Sequence, residues 1–204
     1  MIPLSPADTP RSLGDPLEAA RRRTLLNRPH MKALTAFVRR LRTDPAFGLV
    51  PDFDPCDGGV NARLLFLLEK PSARLGDTGF VSRNNANPTA ASILAFMQEA
   101  RLPREATLIW NIVPGWNGTS QITQAEVKRG LDSLKKLLRL LPQLRAAVLV
   151  GQHAARARPL FDALGLPTLA TIHPSPNNRA ARLADWLRIG HVWAKAHAYL
   201  GEAT

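Results

Sequence analysis

Cysteine is almost missing from this 204-residue chain, where Cys56 stands alone. One thiol cannot close an internal disulfide, complete a four-thiolate zinc site or hold an iron–sulfur cluster. No run of about 18 apolar residues occurs, so no membrane-spanning helix is expected. The opening Met1-Ile2-Pro3-Leu4-Ser5-Pro6 lacks the basic-then-apolar order of a secretory signal, and a cytoplasmic protein is expected. There is no Gly-x-Ser-x-Gly elbow, no phosphate-loop lysine motif and no cysteine pair near a His-x-Glu. Serine hydrolase, P-loop nucleotide hydrolase and zinc deaminase chemistries are thereby set aside.

Acidic residues are scarce beside basic ones, 16 against 27, for a net charge of +11. Such an excess favours a polyanionic partner such as nucleic acid. Residues 1–43 carry a net +6, and the remainder only +5, so the charge does not locate a binding face. Arginine supplies most of it in an alanine-rich chain, so composition bias stands as the bland alternative to the DNA binding that the charge favours.

The length suits one α/β domain with its own core. Residues 1–16, with four prolines, read as a flexible lead-in to a single domain over 17–204. A short basic helix is expected over 17–27, then an amphipathic one in which Met31, Leu34, Val38 and Leu41 recur at helical spacing. Residues 44–61 read as a loop. From Arg63 a rhythm begins: apolar runs at 63–68, 106–110, 145–150 and 167–171 alternate with helical patterns at 87–101, 123–141, 152–164 and 178–200. In the last helix, Leu183, Trp186, Leu187, Trp193 and Leu200 are expected to face inward. The alternation predicts a mainly parallel sheet with helices on both faces, its strand C-termini sharing one edge. Ligands bind at that edge. The residues just past the strands are Glu69-Lys70-Pro71-Ser72, Asn111-Ile112-Val113-Pro114, Gly151-Gln152-His153 and Ile172-His173-Pro174-Ser175-Pro176.

In this order, and with Gly79-Phe80-Val81 between the first two, these segments resemble the uracil-DNA glycosylase superfamily over about residues 63 to 200. The resemblance implies a three-layer α/β/α sandwich around a four-stranded parallel sheet, and removal of uracil or a related deaminated base from DNA by hydrolysis of its N-glycosidic bond. No cofactor or metal is implied, because the cluster-bearing branches of the family need four cysteines. Expected partners are DNA with a damaged base and no membrane, and the protein is expected to be a monomer.

Residue by residue, the resemblance makes His173 a donor to O2 of the departing base, where a fixed donor suits the developing charge. Asn111 would read O4 and N3–H, since an amide offers both donor and acceptor. Phe80 would stack on the everted base, and Ser82, Asn84 and Pro71 would complete the binding pocket. Each has a plainer reading: a surface histidine in a Pro-rich turn, an asparagine capping a turn, a core phenylalanine.

The first motif departs from the family. Glu69 occupies a Gln/Glu position, but Lys70 stands where some members keep an Asp or Asn for water activation. Glu69 is therefore the first choice to orient water or stabilise the sugar cation, with Asp77 and Asn84 as rivals and a simple ion pair as the alternative. Lys70 is expected to turn outward to a phosphate. Ser175, Asn177 and Arg179, in a loop entering the minor groove, and Trp116 are the further DNA-contact candidates. The competing function is a non-catalytic nucleic-acid-binding protein on the same fold, with Lys70 marking lost catalysis.

Overall fold

The computed structural model describes residues 9–73 and 78–201. Four apolar runs form the central sheet: β2 (Leu64–Leu68), β4 (Thr107–Asn111), β5 (Ala146–Val150) and β6 (Thr168–Thr171). Strand order is β4-β2-β5-β6, and every pairing is parallel. All residues of β2, β4 and β5 are buried. Burial on both faces explains why they read as unbroken apolar runs and not as alternating patterns.

Helices cover the sheet. They are α1 (Pro16–Leu25), α2 (Pro29–Leu41), α3 (Pro88–Glu99), α4 (Gln124–Leu138), α5 (Arg158–Asp162), α6 (Pro176–Ala181) and α7 (Leu183–Ala196). The α/β sandwich with its four-stranded parallel sheet is the expected one. Local chemistry sets the helix starts. Asn87 accepts a hydrogen bond from the Ala90 amide and Pro88 occupies the first turn of α3. Thr123 and Glu126 close a reciprocal capping box on α4. Phe66 and Phe96 pack edge-on against Trp193 of α7, which ties helix to sheet.

Several expectations need correction. Residues 44–61 contain β1 (Asp52–Phe53), which pairs in parallel with β3 (Phe80–Val81). Two-residue strands are too short to show a period. The final helix is two, α6 and α7, separated at Arg182, whose backbone leaves the helical region. Leu183 and Leu187 are 54% and 63% exposed, not inward. The buried face of α7 runs through Ile189, Trp193 and Ala196, with Trp186 half-buried. Leu187 follows Trp186 by one residue, about 100° round the helix.

The lead-in is also more ordered than expected, from Thr9 onward. Leu13 is buried with Ala19 and Phe80, and its amide donates to the Asn84 carbonyl at 3.1 Å. Contact with the body holds these residues, although nothing in their composition indicates a helix.

From β2 the chain crosses to β4 on one side, then returns to β5 on the other. The loops leaving β2 and β5 therefore diverge, and a crevice opens between the two strand ends.

Candidate active site

Glu69 and Gly151 meet at that crevice. Gly151 has φ +103°, and a Cβ there would lie 2.5 Å from the Glu69 Cδ atom. Only glycine allows both the backbone angle and the carboxylate lying across it. The His153 amide donates to Glu69 Oε1 at 2.8 Å. The Val113 amide donates to the Glu69 carbonyl at 2.9 Å, extending the β2–β4 ladder one residue past the strand. Glu69 is thus fixed by backbone on two sides.

Beside it lies a cavity of about 480 Å³ lined by Pro71, Phe80, Ser82, Asn111 and His173, among others. These residues come from the ends of β2, β4 and β6 and from β3, as the edge argument requires. Among the described residues, neither the Asn111 amide nor the His173 ring has a hydrogen-bond partner. Both offer polar atoms to whatever enters.

The His173 loop is rigid. The His173 carbonyl accepts from the Ser175 amide and from Asn178 Nδ2, both at 2.8 Å. Burial pushes the imidazole below its ordinary 6.5, and the negative charge of Glu69 only partly opposes this. A neutral ring at physiological pH follows, able to donate one hydrogen bond without carrying a full charge.

Glu69 itself lines a neighbouring cleft, which shares His173 with the cavity. The carboxylate and the imidazole therefore stand at the seam between two hollows. That seam can hold the sugar of a nucleotide whose base fills the cavity.

Phe80 is both core and wall. It is 1% exposed, packed behind by Leu13 and Ala19, and it still lines the cavity. Behind it is a buried ion cluster. Asp54 pairs with Arg22 and Arg104 and accepts the Ser82 hydroxyl. Burial alone would raise the Asp54 pKa, but Arg104 and Arg22 outweigh it and hold the group below its ordinary value. Asp57, facing Arg83 and Arg104, is pushed by burial up to about 6.

This cluster corrects two assignments. Asn84 is fully buried and absent from the cavity wall: its Oδ1 accepts from Arg22 and Arg104, and its Nδ2 donates to the Thr9 carbonyl. Its amide is consumed in structure, leaving nothing for substrate or water. Ser82 lines the cavity, but its hydroxyl donates to Asp54 and accepts from the Asn84 amide. Asn85 and Asn87 also line the cavity, with amides likewise engaged, Asn85 by the Thr78 hydroxyl and the Phe80 carbonyl and Asn87 by the Ala90 amide. The run Ser82-Arg83-Asn84-Asn85 is polar throughout, and only tertiary packing decides which member lines the cavity. The rival Asp77 lies outside the described residues.

Lys70 is the largest correction. It does not turn outward to a phosphate. Its Nζ donates to Asn117 Oδ1 at 2.7 Å, to the Gln121 carbonyl at 2.8 Å and to Glu126 Oε1 at 2.8 Å. All three ammonium hydrogens are used, and the side chain is 4% exposed. Burial would raise the Glu126 pKa, yet Lys70 and Thr123 bring it below the ordinary value, so Glu126 is held as a carboxylate. Trp116 lies 5.9 Å from the same ammonium and bridges to Leu49 through backbone hydrogen bonds.

The remaining DNA-contact candidates sit around α6 and not in an extended loop. Ser175 caps that helix, accepting from the Asn178 amide. Asn177 is exposed. The Arg179 guanidinium lies over the Trp186 ring at 5.0 Å, in a hollow separate from the base-sized cavity.

Among the described residues, no group of three or more His, Cys, Asp or Glu side chains could hold a metal ion, and no helix is long and apolar enough to cross a membrane. No curated protein sequence matches the chain. The family model for the uracil DNA glycosylase superfamily does match, over residues 55–196. The matched span holds all four strands of the central sheet together with Glu69, Phe80, Asn111 and His173. This chain belongs to the uracil DNA glycosylase superfamily.

Proposed function

We propose that the chain is a monofunctional DNA glycosylase that hydrolyses the N-glycosidic bond of uracil or a related deaminated base. One observation carries the reading: the Asn111 amide and the His173 imidazole, neither with a hydrogen-bond partner among the described residues, line the same cavity as Phe80.

In this reading the target nucleotide turns out of the DNA, and its base lies against Phe80. The Asn111 amide donates to O4 and accepts from N3–H. Cytosine presents the reverse pattern and leaves that amide mismatched. As the C1′–N1 bond breaks, its electron pair passes to the base and the sugar becomes cationic. Neutral His173 donates to O2, where the negative charge collects. The Glu69 carboxylate at the seam stabilises the cation and orients a water. The water oxygen bonds to C1′, its proton passes to Glu69, and the base leaves to be protonated by solvent.

Lys70 raised the alternative of a DNA-binding protein without catalysis, because a free cation there would oppose the sugar cation. Its ion pair with Glu126 removes that objection. The test is release of uracil, thymine opposite guanine, and hypoxanthine from matched oligonucleotides, with His173→Ala alongside. Uracil release that falls about 10²–10³-fold in the variant is the expected result. Equal, background-level cleavage by both proteins would reject the reading.

A further inference from the structure

The neighbouring cleft, about 710 Å³, has a wall that the reaction does not use. Glu69, Gly151 and His173 come from the sheet edge. The facing wall is α7, which contributes Arg188, His191 and Lys195. Spacings of three and seven residues put these side chains on one stripe of the helix. All three are exposed, and among the described residues none makes a hydrogen bond or ion pair. The two acids of the cleft are both engaged, Asp185 with Arg182 at 2.7 Å and Glu69 with the His153 amide. The cleft is therefore polarised, with its carboxylate at the reacting end and uncompensated cations along the helix.

We propose that this cleft is a phosphodiester track in which Arg188 and Lys195, with His191 between them, hold the backbone of the DNA strand that carries the everted nucleotide. The inference rests on the reading of the adjoining cavity as a base slot. A nucleotide with its base in that slot and its sugar at Glu69 and His173 must continue its strand into an adjoining space. The cleft is lined by both residues, and His173 also lines the slot. Arg188 and Lys195 stand about 10 Å apart along the helix axis, a reach that spans more than one phosphate of a strand. A single small anion would not need so long a stripe.

The probe is a single-stranded oligonucleotide with an uncleavable abasic analogue, followed by fluorescence anisotropy from 50 to 200 mM salt. Arg188→Ala with Lys195→Ala should weaken binding about tenfold and lower the slope of log affinity against log salt by ~1.4. Lys135→Ala with Lys136→Ala removes the same charge from the exposed side of α4 and should leave affinity and slope near wild type. Arg188→Gln with Lys195→Gln, which keeps the aliphatic stems, should reproduce the loss and so separate charge from folding. Equal losses in the α4 and α7 pairs, or no loss in the α7 pair, would overturn the track. Wild-type uracil release is scored separately. Its absence would defeat the catalytic reading alone, because the slope is measured on a strand that cannot be cleaved.

Discussion

Two neighbouring regions of this protein treat polar groups in opposite ways. Behind Phe80, guanidinium and carboxylate groups are drawn out of water and set against one another: Arg22 and Arg104 on Asp54, Arg83 and Arg104 on Asp57. In front of Phe80, Asn111 ends the buried strand β4 and His173 follows the part-exposed edge strand β6, and among the described residues neither the Asn111 amide nor the His173 ring has a hydrogen-bond partner. The first region spends its polar chemistry on holding the fold. The second keeps it available for a ligand. Ser82 belongs to both, and Asn111, buried like the ion cluster, shows that pairing and not depth alone makes the difference.

The comparison breaks most visibly at Asp54. Asp54→Ala would leave Arg22 and Arg104 buried without their shared carboxylate and should cost about 3–5 kcal/mol, read as a loss of unfolding free energy in urea. A variant of near wild-type stability would show the cluster to be ornamental. His173→Ala should do the reverse, lowering uracil release about 10²–10³-fold while moving stability by less than ~1 kcal/mol. If it unfolded the protein instead, the second region would be structural too.

A smaller effect comes from Asp57. Its folded pKa is about 6 against an ordinary 3.8. Between those values the folded state holds more protons than the unfolded one, so stability falls as pH rises from 4 to 6 and then levels. Urea unfolding of wild type and Asp57→Asn across pH 4 to 7 should show that decline only in wild type. A parallel pair of curves would mean that Asp57 ionises normally.

The smallest expected effect is on the pH profile of excision. His173 lies below its ordinary 6.5 because of burial, so the ring stays neutral as pH falls through that value. Single-turnover release should be nearly flat there and decline only at lower pH. A midpoint at 6.5 that disappears in His173→Ala would place the histidine in solvent-like surroundings.

Strands β2, β4 and β5 were legible because burial on both faces leaves a continuous apolar run, whereas β6, a part-exposed edge strand, was legible from its place in the strand–helix alternation. The loops past their ends were legible because a parallel sheet collects those ends at one edge. The ion cluster was not. Arg22, Asp54, Ser82 and Arg104 are separated by up to 82 positions, and nothing in a local window pairs them. Arg22, Arg83 and Arg104 entered the net charge as if they were surface cations, but they are buried and cannot meet DNA. Lys70 was misread for a similar reason. Its partners Asn117, Gln121 and Glu126 follow the next strand, about 50 residues on. Asn84 and Asn85 are indistinguishable as residue types, and a single step of backbone direction decides which one faces the cavity.

The family match begins at residue 55, one position after Asp54. Arg22, Leu13 and the Thr9 carbonyl all precede it. A shortened version cut at the matched boundary would lose the anion that three groups share and would bare the rear of an aromatic ring. Anyone miniaturising this protein should keep the segment from Thr9 to Asp54, because packing reaches further than similarity.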